Sequence, residues 1–194
     1  MRNSRTTFSL FLLMILFSAC SANKHVREAR EAELPALKLA YKAEIIEIKD
    51  IRLGKSAGDI QLPIMSFPGQ NKRGTPALTD EHKKIIEDLI RNNNSASGIP
   101  VRAIVTLVEC YKEFSANMIH EKERAYAEVK ISLVDPNTGK PFVQCQSQGD
   151  FYVTSADAKT TRIETIYQVA LRNAIYTCLQ SIDKQSRNKS DSGK

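Results

Sequence analysis

Four cysteines, three histidines and a scatter of carboxylates are the side chains with which this chain could perform nucleophilic, redox, metal or acid–base chemistry. His120 with Glu121 and Glu123 is the best cluster of metal-ligating types, but neighbours along a hairpin loop do not face one point as a ligand set must. Glu109, Glu113 and Glu128 could supply the paired carboxylates of a hydrolase. Charge on a solvated sheet edge explains them as well. The sequence holds no Gly-x-Ser-x-Gly elbow, phosphate-binding loop, His-Glu-x-x-His or Cys-x-x-Cys, so the expectation is a protein that is not an enzyme, with no catalytic, cofactor or metal residue. Among the cysteines, Cys145 falls on the core face of a strand and Cys178 in the apolar stripe of the helix expected to cover it. Cys110 and Cys145 would be separated by an intervening strand, about 9–10 Å, too far for a disulfide. The reading is a Cys145–Cys178 bridge or, failing that, three buried thiols.

Cys20 is set apart by what precedes it. Arg2 and Arg5 lead into an uninterrupted apolar run from Leu10 to Phe17, and the small residues Ser18 and Ala19 follow, the order of a secretory signal and its cleavage site. The run is far short of the roughly 20 residues that a membrane-spanning helix needs. These residues resemble a bacterial lipobox, with Phe17 standing where that motif carries an aliphatic residue. The resemblance implies cleavage before Cys20, acylation of its thiol and, since Ser21 rather than Asp follows, delivery to the inner leaflet of an outer membrane, facing the periplasm. Several acyl chains hold nearly irreversibly where one chain anchors only marginally. The membrane, reached through Cys20, is thus the first partner expected.

Removing the first 19 of 194 residues leaves 175, enough for one domain plus tails. With 42% hydrophobic and 26% charged residues, the mature chain has the material for a core. The formal net charge of +6 falls to about +4 without Arg2 and Arg5, and much of it sits at the carboxyl end in Lys184, Arg187, Lys189 and Lys194. That Ser-rich stretch reads as a solvated, disordered basic tail. Export and the lack of an aromatic-rich basic stripe argue against nucleic acid as a partner.

The elements that would position these residues follow from periodicity. Residues 20–36 read as a lipidated tether with a short charged helix. Leu37, Leu39, Tyr41, Ala43 and Ile45 alternate and then shift parity to Ile46 and Ile48, a strand with a bulge near Ile45. From Gly54 to Leu78, glycines and prolines predict a long loop. Thr79 or Asp80 caps a helix running to Arg91. Ile99–Phe114 is a central strand with Val101, Ala103, Val105 and Leu107 on one face and Ile104, Val108 and Cys110 on the other. Ala125 to Leu133 alternate with Tyr126, Glu128, Lys130 and Ser132. After the Asp135-Pro-Asn-Thr-Gly139 turn, the return strand puts Val143, Cys145, Phe151 and Val153 opposite Gln144, Gln146, Gln148 and Asp150. A final helix over 162–182, with Thr161 and Glu164 at capping-box spacing, has an apolar stripe that must lie on the sheet.

Together these give an α+β domain over 37–182, a mostly antiparallel four-stranded sheet with two helices packed on one face, flanked by the 1–19 signal peptide, the 20–36 tether and the 183–194 tail. Behind a lipobox, this order with its Asp135 hairpin and Ala-rich closing helix resembles the small periplasmic lipoproteins of the curli-secretion-channel and penicillin-binding-protein-activator type. That resemblance implies an accessory envelope role without chemistry. The leading expectation is a noncatalytic adaptor in an envelope assembly or transport machine that contacts an envelope protein. A ring-forming secretion-channel-like component and a cell-wall or lipid hydrolase are the alternatives. Two surfaces are candidates for the contact: the wet sheet face, and the long loop, where Ile60, Leu62, Ile64, Met65 and Phe67 give unusual apolar content. Those loop side chains either meet a partner or patch the sheet edge.

Overall fold

The computed structural model describes residues 21–55 and 58–191; Ser18, Ala19 and Cys20, with the rest of the leader, lie outside the described residues. A helix over 21–31 (α1) is followed by strands β1 (Tyr41–Asp50) and β2 (Asn71–Gly74) and helix α2 (Asp80–Asn92). Strands β3 (Ile99–Ala116), β4 (Glu121–Val134) and β5 (Pro141–Ser155) and helix α3 (Thr160–Asp191) complete the chain. Among the described residues, no helix is long and apolar enough to cross a membrane.

The sheet corrects the expectation of four mostly antiparallel strands with two helices. Among the described residues it has five strands in the order β1-β3-β4-β5 with β2 beside β3, it is mixed, and three helices accompany it. β1 and β3 pair in parallel because α2 lies between them in sequence and carries the chain back to the end where β1 started. β2 has no alternating apolar signal to betray it. It forms because β3, eighteen residues long, runs on beyond β1, and Asn71–Gly74 pair antiparallel with residues 112–115 of the overhang.

Two bulges set which side chains face inward. The register of β1 slips between Ala43 and Ile45, where the parity change predicts it. A second slip, between Leu107 and Glu109 of β3, was not visible in the sequence, and it moves Cys110 from the expected outer face to the inner one. Cys110, Lys112, Phe114 and Ala116 therefore continue the buried row of Val101, Ala103, Val105 and Leu107.

α3 covers this inner face. Ile166, Tyr167, Ala170, Leu171, Ala174, Ile175, Leu179 and Ile182 are buried in one cluster with Ala127, Val129 and Ile131, and each large aliphatic contributes about 1.5–3 kcal/mol by leaving water. The approach is closest at Gly149 of β5, where an added Cβ would collide with the carbonyl oxygen of Ala170. α3 begins at Thr160 and continues beyond Ile182 to Asp191. The Thr161–Glu164 capping box does not form there. Two β4 carboxylates serve instead, Glu121 accepting from the Ala158 N–H and Glu123 from that of Lys159.

Residues 21–36 lie against α3. Ala22 and Val26 are buried, His25 stacks on Phe151 at 5.5 Å, and the Arg162 guanidinium donates to Asn23 at 3.0 Å. Further along, Arg172 donates to the carbonyls of Arg30 and Ala32, and the Tyr176 hydroxyl donates to that of Pro35. α1 thus runs beside α3 in the same direction. Arg162 is itself buried against the fully buried Glu123 and donates to Ser155 as well. Burial pushes the Glu123 carboxyl up, and the Lys159 amide and Arg162 oppose that shift.

A second polar cluster joins α2, α3 and β3. His82, buried in the first turn of α2, receives the Thr79 N–H on Nδ1 at 3.2 Å, and the Thr79 hydroxyl accepts the His82 N–H in return. Nδ1 also lies 3.2 Å from the Ala77 carbonyl, and Nε2 is 2.7 Å from Glu164 Oε1. Lys112, nearly inaccessible, donates to the other Glu164 oxygen and to Asp59 at 2.6 Å. Burial would raise the Glu164 carboxyl, but the hydrogen bonds from His82 and Lys112 outweigh it and hold it at about 2, against an ordinary 4.5. A depressed carboxyl stabilises the fold above its unfolded pKa and loses that contribution as pH falls through the folded one. Glu164→Gln is expected to cost about 2 kcal/mol at pH 7, less than a fully buried pair because Glu164 keeps some solvent contact. It should also flatten the stability–pH curve between about 4.5 and 2. Denaturant titrations at several pH values measure both, and an unchanged acid limb would refute the assignment.

Candidate interaction surface

All three helices lie on the inner face, so the outer face of β3, β4 and β5 is left to its own side chains. The Leu107/Glu109 bulge puts Glu109, Tyr111 and Glu113 on that side, opposite Glu128, Tyr126 and Arg124 of β4. β5 adds Gln146, Gln148, Asp150 and Tyr152 in register with β4.

These side chains are organised around two aromatic rings. Tyr111 and Tyr126 stack with centroids 5.1 Å apart and planes 19° from parallel. The Arg73 guanidinium, brought by β2, sits 3.5 Å over the Tyr111 ring and pairs with Glu109 at 2.5 Å, a cation–π arrangement that orders a long side chain. On the other flank Arg124 holds Asp150 through Nε at 3.0 Å and Nη2 at 2.5 Å, and that hydrogen bonding raises the Arg124 pKa. The Tyr126 hydroxyl donates to Gln148 at 2.9 Å, and Gln146 donates to Glu128 at 2.6 Å. Leu53, Gly54, Thr75 and Val108 join Arg73, Glu109, Tyr111 and Glu128 around a groove of about 510 Å³.

The wet-face residues of the sequence reading, Tyr126, Glu128, Lys130, Gln144, Gln146 and Gln148, thus share one face. Arg73, Tyr111 and Arg124 escaped it: Tyr111 because the bulge reversed its side, Arg73 because β2 has no pattern. Of the three carboxylates weighed for acid–base work, Glu109 and Glu128 are direct cross-strand neighbours, while Glu113 faces Arg124 and Arg73. The His120 cluster is dispersed. Glu121 and Glu123 serve the start of α3, and the His120 N–H is tied into the turn by the Asn117 side chain. Among the described residues no group of three metal-ligating side chains converges.

The loop residues divide. Ile60 is buried with Phe114, Ala116 and Ile163, Leu62 packs on that cluster, and Ile64, Met65 and Phe67 stand exposed. The first two patch the sheet edge. Cys145 and Cys178 meet across the β5–α3 interface as free thiols, and the hydrogen bond from Cys178 draws Cys145 down to about 7 while Cys178 is pushed up.

Tyr126 offers a direct probe of the outer face. Its phenol is raised above the ordinary value by partial burial and by the negative charge of Glu128 and Glu109. Glu128→Gln removes one charge that disfavours the phenolate, so the Tyr126 pKa should fall toward 10. The ring-carbon shift of Tyr126 followed by NMR against pH reports it, and an unmoved midpoint would place Glu128 elsewhere.

No family model matches this chain, and no curated protein matches it. Among solved structures, a Xanthomonas campestris protein of the DUF330 family is similar over 81% of this chain and 94% of its own, at 10% identity and a TM-score of 0.46. A Caulobacter crescentus protein provisionally assigned as a lipoprotein is similar over 58% of this chain and 82% of its own, at 12% identity and 0.36. A Helicobacter pylori protein provisionally assigned as a homolog of the neuraminyllactose-binding hemagglutinin covers 80% of this chain and 92% of its own, at 12% identity and 0.36. At these identities and TM-scores the likenesses assign no function.

Proposed function

We propose that this chain is a noncatalytic envelope lipoprotein, held on a membrane by acyl chains on Cys20, that acts as an adaptor by presenting its outer sheet face to another envelope protein. The observation that carries the reading is the one-sided sheet. Three helices cover one face, and the other displays Tyr126, stacked on the buried Tyr111 and framed by ordered arginines. Tyr and Arg are the residue types enriched at binding hot spots, and here the side chains are held in place before any partner arrives, which lowers the ordering entropy of association.

Anchorage and adaptor role are separable by experiment. Radiolabelled palmitate should enter the wild-type chain and not Cys20→Ala, and the variant should leave the membrane fraction. A photoreactive residue at Tyr126 should give one adduct of discrete mass in intact cells, and the same residue at Lys84, on the exposed side of α2, should give none. No adduct from position 126, or the same adducts from both, would sink the adaptor reading.

Export to an oxidising compartment bears on the cysteines. In this reading Cys145 and Cys178 form a disulfide in the periplasm, closing a loop of about 33 residues and adding roughly 3–4 kcal/mol in the chain-entropy model. A non-reduced digest of protein from the envelope should contain the two peptides joined. Recovery of both cysteines alkylated without prior reduction would rule the bridge out.

A further inference from the structure

Five large apolar side chains gather at one end of the sheet without a covering. Met118 and Ile119 crown the β3–β4 hairpin and are 88% and 73% exposed; Ile64, Met65 and Phe67, in the loop before β2, are 104%, 70% and 58% exposed. The two segments are bound together. The Gly69 N–H donates to the Ala116 carbonyl and the Ala116 N–H to that of Gln70, both at 2.9 Å, and the Ser66 hydroxyl donates to Glu121. The hairpin turn is fixed by Asn117, whose side chain accepts the N–H groups of Ile119 and His120 at 2.8 and 2.7 Å. Solvent exposure of five such side chains on two neighbouring turns is costly, and exposed apolar surface of this kind marks an interaction site.

The start of the described chain says what covers them. Asn23 lies beside Arg162 in the first turn of α3, and the carbonyls of Ala32 and Pro35 lie beside Arg172 and Tyr176 further along, so the amino terminus of α1 is at the same end as that of α3. Ser21 lines a groove with Val153 and Thr154, and Thr154 pairs with Lys122 just past the hairpin turn. Cys20 directly precedes Ser21 in the sequence. The hairpin tip stands about two strand spacings, roughly 10 Å, to the side. Acyl chains on Cys20 would bring a bilayer surface to this end and to no other.

We infer that Ile64, Met65, Phe67, Met118 and Ile119 form a membrane-insertion tip that enters the headgroup and upper acyl region of the bilayer holding Cys20. The inference rests on the anchorage reading above. Lys72, exposed near the same end, suits anionic headgroups, and Lys159 there is paired with Asp157 at 3.3 Å. Three points of contact, the acyl chains, the hairpin and the loop, fix an orientation that a lone lipid anchor does not. The strands then stand steeply on the membrane, with the Asp135–Lys140 turn about 45 Å above it, since the fourteen residues of β4 rise roughly 3.3 Å each. The outer face with its tyrosine stack is turned sideways, free along its whole height.

The chain contains no tryptophan, so a single one reports its own surroundings. Chains lipidated at Cys20 after cleavage before it, carrying Met118→Trp, Phe67→Trp or Asn137→Trp, are reconstituted in phosphatidylethanolamine–phosphatidylglycerol vesicles with brominated acyl chains. Fluorescence of the first two should fall about twofold or more, as expected at an insertion depth of roughly 5–10 Å, while Asn137→Trp, in the distant turn, keeps its intensity. Vesicle flotation of all three with no quenching of the first two would overturn the insertion tip, leave anchorage standing and return these side chains to a protein partner. Failure of the lipidated chains to float would sink the anchorage reading and the tip with it.

Discussion

The geometry of this protein depends on one buried ion pair, Arg162 with Glu123, at the point where four segments meet. Arg162 opens α3, Glu123 lies on the inner face of β4, and the same guanidinium reaches Ser155 at the end of β5 and Asn23 in α1. Both charged groups are out of solvent, where either one alone would destabilise the fold by about 3–5 kcal/mol. Satisfied together, they fix the direction of α3 across the sheet and hold α1 against it. A segment that would otherwise be a loose leash becomes part of the domain.

Everything on the inner face is consistent with that clamp. α3 settles onto the small residues Ala125 and Ala127 and onto Gly149, whose missing side chain lets the helix backbone touch the strand. The Glu164 cluster secures α2 to the same helix, with Lys112 neutralised by two carboxylates rather than one. Lysine on a buried sheet face is expensive unless so compensated. The β3 bulge and the acidic residues on the loop and α3 are therefore parts of one arrangement.

Covering one face with helices leaves the other to its own side chains, and that asymmetry shapes the functional reading. The outer face is polar, aromatic and ordered by its own contacts. Five exposed apolar side chains, Ile64, Met65, Phe67, Met118 and Ile119, stand at the end of the sheet where the described residues begin. Anchorage, insertion tip and open face would then divide the labour: the first two orient the domain and the third is displayed.

Much of this was legible in the sequence because it depends on local periodicity. The parity shift in β1, the alternation of Ala125 to Leu133 and the apolar stripe of α3, with the inward faces of Cys145 and Cys178, are one-dimensional patterns, each set by the 2.0 or 3.6 residue repeat of its own element. What the sequence could not show were the features created by one segment acting on another. β2 exists because β3 offers unpaired backbone, and Tyr111 faces outward because an unmarked bulge intervenes. Glu164 serves His82 and Lys112 rather than its own helix cap. Parallel pairing of β1 with β3, the docking of α1 beside α3 and the gathering of Met118 with Phe67 at one end are decided by where distant segments meet. Hydrogen bonds and charge pairing between residues far apart in the chain settle that, and no local repeat records it.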